Sequence, residues 1–205
     1  MVHPINRTAA SWTWQLLQEH RTNKWMHPLR DHHLDTYRHS VRVGLYAMDI
    51  GLENDLPSSR VLEVGRGGLL HDIGKLDVPV TTLNNHHALS PEELAVVRGH
   101  PRRGFELLSD DVEIVRYMVV AHHEWKVHPY PRNGNGHGNG VIHERRSFSN
   151  LAEMMSQIVA AADIFDALAH ARSYKPALGR DVVAQLFSEQ FLGDPKYQEQ
   201  LLARW

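Results

Sequence analysis

Sixteen histidines and no cysteine stand in a chain of 205 residues. Disulfides, iron–sulfur clusters and a cysteine nucleophile are therefore excluded. Any transition-metal site must be built from imidazole and carboxylate. Five places carry such donors: His39, the pair His71-Asp72, His100, the pair His122-His123, and Asp163. An adjacent His-Asp pair offers one imidazole to a cation and a carboxylate whose two oxygens can serve two cations. Two divalent ions about 3.5–4 Å apart are a standard arrangement for phosphate-ester hydrolysis. Asp35 lies four residues before His39, on the same helical face. Asp163 sits in Ala-Ala-Asp-Ile-Phe-Asp-Ala-Leu, where an acid is costly unless it is ligated or paired. Its purely structural alternative is an ion pair with Arg172.

Other histidines make the same claim with less support. His32-His33 and His86-His87 are equally good pairs in isolation. His123-Glu124 followed by His128 resembles a zinc-protease helix but has one residue too many before the second His. The two rings would not share a face. Gly134, Gly136, Gly138 and Gly140 alternate with Asn and His, yet they follow no strand and lack the Lys-Ser/Thr of a phosphate loop. The segment reads as flexible.

The elements that must position the donors read as helices. Thr8 to about Arg21 carries Trp12 and Leu16 four apart, and Leu34 to about Leu52 carries Val41, Leu45, Met48 and Leu52 at helical spacing. Pro57-Ser58 opens a helix to about Asp72. Ser90, Pro91 and Glu93 form a cap, a first helical position and a capping box. Arg102–Leu108, Asp111–His123, the apolar Asn150–Ala171 and Arg180–Leu192 complete the set. Val78-Pro79-Val80 is too short and too broken for a strand, so the expected fold class is all-α.

Hydrophobic residues make up 42% and charged residues 22%, with net charge −2. This is an ordinary globular composition and not that of a general nucleic-acid binder. No apolar run has transmembrane length, and the N-terminus lacks an apolar signal core, so a cytoplasmic, membrane-free protein is expected. Trp12, Trp14 and Trp25 mark residues 1–30 as a packed or homodimerising helical extension, without a sensor domain, ahead of a domain over 31–205.

The run His39, His71-Asp72-Ile73-Gly74-Lys75, His100-Pro101, His122-His123-Glu124, Asp163 and Arg172-Ser173-Tyr174-Lys175 resembles the HD-GYP branch of the HD-domain metal-dependent phosphohydrolases. The resemblance covers about Leu34 to Leu192. It implies an HD-domain helical bundle with two or three divalent ions, usually iron or manganese. It implies that His39, His71, Asp72 and Asp163 hold one ion, and that His100, His122 and His123 hold a second, with Asp72 bridging. Asp35 occupies the place of the acid, usually Glu, that serves a third ion. The implied substrate is a small cyclic dinucleotide, cyclic di-GMP or 3′,3′-cGAMP. Lys75 would contact the scissile phosphate or the leaving oxygen, and Arg172 and Lys175 would hold phosphates as a planar fork and a point charge.

The motif that names the branch is altered. After His122-His123-Glu124 the chain reads Trp125, Lys126, Val127, His128, Pro129, Tyr130, Pro131. Tyr130-Pro131 survives, the Asp-Gly is absent, and Pro129 stands where Gly is usual. Proline fixes φ near −65° and cannot copy a glycine at positive φ. The metal ligands are thus all present while the substrate wall, with Tyr130, is changed. Three alternatives remain open: an HD hydrolase of another nucleotide or phosphate ester, a di-iron oxygenase, and a non-catalytic module that binds a cyclic dinucleotide or a partner.

Overall fold

The computed structural model describes residues 4–85, 87–130, 150–170 and 178–205. The described chain is helical throughout: α1 (Arg7–Gln18), α2 (His20–His32), α3 (Leu34–Glu53), α4 (Ser58–Leu70), a 3₁₀ turn (Ile73–Asp77), α5 (Val80–Leu83), α6 (Pro91–Arg98), α7 (His100–Leu107), α8 (Glu113–Ala121), α9 (Asn150–Ala169), α10 (Arg180–Gln190) and α11 (Pro195–Leu202). Among the described residues the β content is one isolated bridge, Lys126 to Phe191. The all-α expectation holds.

Three helices escaped the sequence reading: α2, α11 and the four-residue α5, which lies in a stretch read as irregular. The first expected helix is broken at Glu19, whose extended backbone (φ −68°, ψ 132°) ends α1 and starts α2. Helix α2 is polar and contains Pro28, which conceals its 3.6-residue period. Helix α11 begins with Asp194, whose carboxylate accepts from Lys196 N, followed by Pro195. That is the same start signal as at Ser90, where the reciprocal capping box forms as expected.

Helices α3 and α9 run through the core. The stretch Ile158–Asp166 of α9 is buried without interruption, so Asp163 and Asp166 stand on a helix otherwise made here of Ala, Ile, Val and Phe. Helices α1 and α2 add Ala9, Leu16, Met26 and Leu29 to the same cluster, with Trp12 and Trp25 packed against it. Each fully buried Leu or Met there contributes roughly 1.5–3 kcal/mol. Trp14, by contrast, is 67% exposed.

Two glycine contacts decide where the site lies. A Cβ on Gly68 would stand 2.8 Å from Gly44 Cα, so α3 and α4 cross with their backbones touching. This brings His39 on α3 beside His71 at the end of α4. A Cβ on Gly74 would stand 2.0 Å from the carbonyl oxygen of His100. The 3₁₀ turn after Asp72 therefore rests directly on the first residue of α7.

Candidate metal centre

Each candidate donor is placed by a helix or its last turn. His39 lies within α3, His71-Asp72 follow α4, His100 opens α7, His122-His123 follow α8, and Asp163 lies within α9. Three rings are oriented by the carbonyl three residues earlier. Nδ1 of His71 donates to Gly68 O at 2.8 Å, that of His100 to Val97 O at 2.7 Å, and that of His122 to Val119 O at 2.7 Å. A carbonyl oxygen only accepts, so these nitrogens carry the ring proton and each Nε2 presents a lone pair. His39 reaches the same state another way, donating Nδ1–H to Asp166 Oδ2 at 2.6 Å.

The bare nitrogens converge with carboxylate oxygens. His100 Nε2 and His122 Nε2 are 3.2 Å apart, and His100 Nε2 is 3.1 Å from Asp72 Oδ1. His39 Nε2 is 3.1 Å from Asp163 Oδ1, while Asp72 Oδ2 lies 3.4 Å from His71 Nε2 and 3.8 Å from His39 Nε2. His71 Nε2, Asp72 Oδ1 and His123 Nδ1 are buried without a hydrogen-bond partner. Lone pairs facing one another at about 3 Å repel unless a cation sits between them. About 3 Å is also the separation of two donors each roughly 2.0–2.2 Å from one ion. The donor atoms fall into three overlapping groups: His39, His71 and Asp163; His71, Asp72 and His122; and His100, His122 and His123. The residues fit divalent metal.

Burial holds His122 and His123 well below the ordinary imidazole range, helped by the neighbouring rings, and burial also lowers His100. These three rings are therefore neutral ligands that need shed no proton near pH 7. At His71 burial works in the same direction, but Asp72 outweighs it and holds the ring above its usual value. Burial opposes ionisation of both acids. Lys75 and His71 nevertheless keep Asp72 far below the carboxylate range, and the close approach of His39, followed by the charge of Lys126, does the same for Asp163.

A supporting layer lies behind His39, and the sequence reading missed it. Asp166 is fully buried and accepts from Arg42 Nε at 2.5 Å and Arg42 Nη2 at 3.0 Å as well as from His39, and His170 Nδ1 lies 3.0 Å from its other oxygen. The readable signal was a second acid three residues after Asp163 on the same apolar helix face.

A cavity of about 210 Å³ opens over the cluster, lined in part by His39, Lys75, His100, His123, Lys126, Tyr130, Asp163 and Gln190. Lys75 Nζ donates to Asp72 Oδ2 at 2.6 Å. The Tyr130 ring stacks on His123, with centroids 4.3 Å apart and an interplanar angle of 32°. Burial, then Asp163 and Asp72, push the Tyr130 phenol up, so it stays protonated. His128 takes the positive φ (59°) in this turn, just before Pro129. The strain that a glycine would relieve thus falls on a residue type that tolerates left-handed backbone better than most.

Asp35 is outside the three donor groups. Its carboxylate lies 4.0 Å from Arg38 Nη1 and its side chain is about a quarter exposed. Arg172, Lys175, Pro131 and the glycine-alternating segment lie outside the described residues. Among the decoys, His32 contacts Val78 O, and His33 contacts Thr36 and Asn84; neither belongs to a donor group.

A family model described as HD domain matches residues 25–188. The chain is 34% identical over 142 residues to the cyclic di-GMP phosphodiesterase PA4108 of Pseudomonas aeruginosa, covering 68% of this chain and 32% of that protein. It is 33% identical over 171 residues to the cyclic di-GMP phosphodiesterase response regulator RpfG of Xanthomonas campestris pv. campestris, covering 80% and 41%. It is 28% identical over 178 residues to the 3′3′-cGAMP-specific phosphodiesterase 2 of Vibrio cholerae, covering 83% and 32%. The chain thus spans about a third to two-fifths of these relatives. The fold matches the HD domain of the phosphodiesterase PgpH of L. monocytogenes in complex with cyclic-di-AMP, with TM-score 0.60 at 17% identity, covering 88% of this chain and 93% of that one.

Proposed function

The chain belongs to the HD-domain family, in its HD-GYP-like branch, and on that premise we propose that it is a metal-dependent phosphodiesterase of a cyclic dinucleotide, cyclic di-GMP or 3′,3′-cGAMP. The observation that carries the reading is the charge balance of the buried cluster. Five imidazoles and two carboxylates supply the donors. Two divalent ions would leave that set with two net positive charges, and Lys75 and Lys126 border the same cavity. Such a site selects a multiply charged anion, which a phosphodiester linked to a second phosphodiester provides.

In this reading His39, His71, Asp72 and Asp163 hold one ion and His100, His122 and His123 the other. Asp72, whose two oxygens face different imidazoles, would be shared between the two donor sets. Iron and manganese suit the all-nitrogen-and-oxygen donor set. A third ion would recruit Asp35, one turn before His39. When bound, the ions supply Lewis acidity toward phosphoryl oxygens and hydroxide near neutral pH. In the hydrolysis a water oxygen bonds to phosphorus, the bond from phosphorus to the 3′ oxygen breaks, and the water's proton ends on that oxygen; Lys75, held on Asp72, would meet the charge that develops on the phosphate and the departing oxygen. Tyr130 offers its ring as a wall for the base or ribose. Arg172 and Lys175 hold phosphates by resemblance. The absence of cysteine supports a cytoplasmic setting.

The modest cavity favours one second reading. About 210 Å³ among the described residues is below the usual range for a drug-sized ligand. It would suit hydrolysis of a mononucleotide or simple phosphate ester. Anaerobic turnover with iron(II) or manganese(II), followed by product mass, separates the two. Linear dinucleotide or GMP is the expected product, and His71→Ala is expected to lose metal and turnover together. Intact cyclic dinucleotides with metal bound and cleaved phosphate esters would transfer the assignment to the second reading. Turnover by a demetallated His71→Ala protein would refute both.

A further inference from the structure

The expected anion grip, Arg172 and Lys175, came from resemblance, yet the described cavity holds a cation that resemblance did not supply. Lys126 lines it together with Lys75, His123 and Asp163. Its backbone is fixed on both sides. Val127 N donates to Gln190 O at 3.0 Å, Leu192 N donates to Trp125 O at 2.8 Å, and Lys126 itself pairs with Phe191 in the antiparallel bridge. The indole of Trp125 donates to Ser156 Oγ on α9 at 2.8 Å, which ties the same segment to the helix that carries Asp163. A lysine on so well-anchored a backbone loses less freedom on meeting a ligand than one on an open loop.

The surroundings favour an anion at its tip. Lys126 Nζ lies 5.6 Å from the centroid of the Tyr130 ring, and the Arg98 guanidinium lies 5.7 Å from the same ring. Tyr130 is in turn stacked on His123. The ring therefore has a candidate metal ligand against it and two cations nearby. With divalent ions in the cluster, a phosphoryl oxygen in the cavity would meet positive charge from the ions and from Lys75 and Lys126 together.

We propose that Lys126 is a phosphate-holding residue of this cavity, supplied by the segment 125–130 in place of the missing Asp-Gly, and that it grips a phosphoryl oxygen of the ligand beside Tyr130. The assignment rests on the phosphoester reading of the site but not on the identity of the ester. An ammonium has no lone pair to give an ion, so the loss of Lys126 should separate anion affinity from metal content.

The test uses the manganese-loaded full chain and inorganic orthophosphate as the probe. Lys126→Gln is expected to weaken orthophosphate binding on the order of tenfold to a hundredfold, the range for a hydrogen bond to a charged group. Lys126→Arg should stay within about threefold, because it keeps the charge. Bound manganese and melting temperature should match the parent in both. For any ester the protein cleaves, KM should rise more than kcat falls in Lys126→Gln. Unchanged orthophosphate affinity in Lys126→Gln, no orthophosphate binding by the parent, or equal losses in Gln and Arg variants would overturn the assignment. Should Lys126→Gln lose manganese, the Arg variant decides: full affinity with Arg supports the grip, and loss with Arg overturns it. A parent that binds orthophosphate through Lys126 but cleaves no cyclic dinucleotide would leave the grip standing and remove the cyclic-dinucleotide reading.

Discussion

Replacing Asp166 by Asn tests whether the donor cluster depends on the layer behind it. In the parent, Asp166 Oδ2 accepts from His39 Nδ1 at 2.6 Å while both oxygens accept from Arg42. Asn has one acceptor and one donor end. With its oxygen kept toward Arg42 Nε and His170, its NH2 faces His39 Nδ1. The ring proton must then move to Nε2, the atom that points at Asp163. With the amide reversed, the NH2 meets Arg42 Nε instead. Either orientation costs one charge-assisted hydrogen bond and leaves a buried donor facing a donor. Arg42 is 29% exposed, so water screens part of the loss, and about 1–3 kcal/mol of stability is expected to go. Second-layer changes of this kind lower metal affinity about 10–100-fold. Manganese titration followed by the signal of free ion should show one of two sites weakened by that factor, the group built on His100, His122 and His123 being untouched. Carbon-13 shifts of the His39 ring in the metal-free protein should report proton transfer to Nε2. Two sites of parental affinity together with an unmoved tautomer would refute the reasoning.

Gly74→Ala should be far more damaging than its chemistry suggests, because its Cβ would lie 2.0 Å from His100 O and 2.7 Å from Gly104 N. A loss of about 3 kcal/mol or more in urea unfolding is expected, whereas Gly179→Ala, with nothing within 4 Å, should change stability by less than about 1 kcal/mol and serves as the control. The metal-free protein should lose stability as pH falls from about 7.5 to 5.5. His100, His122 and His123 are depressed in the fold, so below about 6.5 the unfolded chain binds more protons; His71 is raised and opposes this, three rings against one. A urea midpoint that rises on acidification would contradict that balance. Manganese at a hundred times its dissociation constant should stabilise the fold by about 2.7 kcal/mol per site, and a melting temperature indifferent to manganese would count against the donor cluster.

The donors were legible in the sequence through their order as a set. Singly, His122-His123 reads no better than His32-His33 or His86-His87, whereas Asp163 also stands out as an acid in an apolar helix. Legibility failed where function lies in relations between residues. Asp166 reads as one more polar position until α3 is packed on α9 and His39 meets it. Lys126 was hidden because a lone lysine in a loop carries no signal until the fold sets it against Tyr130 in the cavity. Helix α2 was lost for a local reason, since Pro28 and a polar composition obscure its period. Helix α11 carried a readable Asp-Pro start at Asp194-Pro195 that went unused. The positive φ expected to be impossible at Pro129 is borne by His128, one residue earlier, a shift that only the traced backbone reveals.

The glycine-lined crossing of α3 and α4 also bears on the order in which the molecule assembles. Residues 54–57 alone join the two helices, so their pairing closes a short loop at little entropic cost and belongs among the fast local events of folding. His39 and His71-Asp72 would then be neighbours before Asp163 of α9 arrives, more than ninety positions further along the chain from His71. An ion captured by that early half would have a reason to recruit Asp163. The rate at which the last third of the chain docks would then depend on free metal, making metal supply a kinetic gate on maturation.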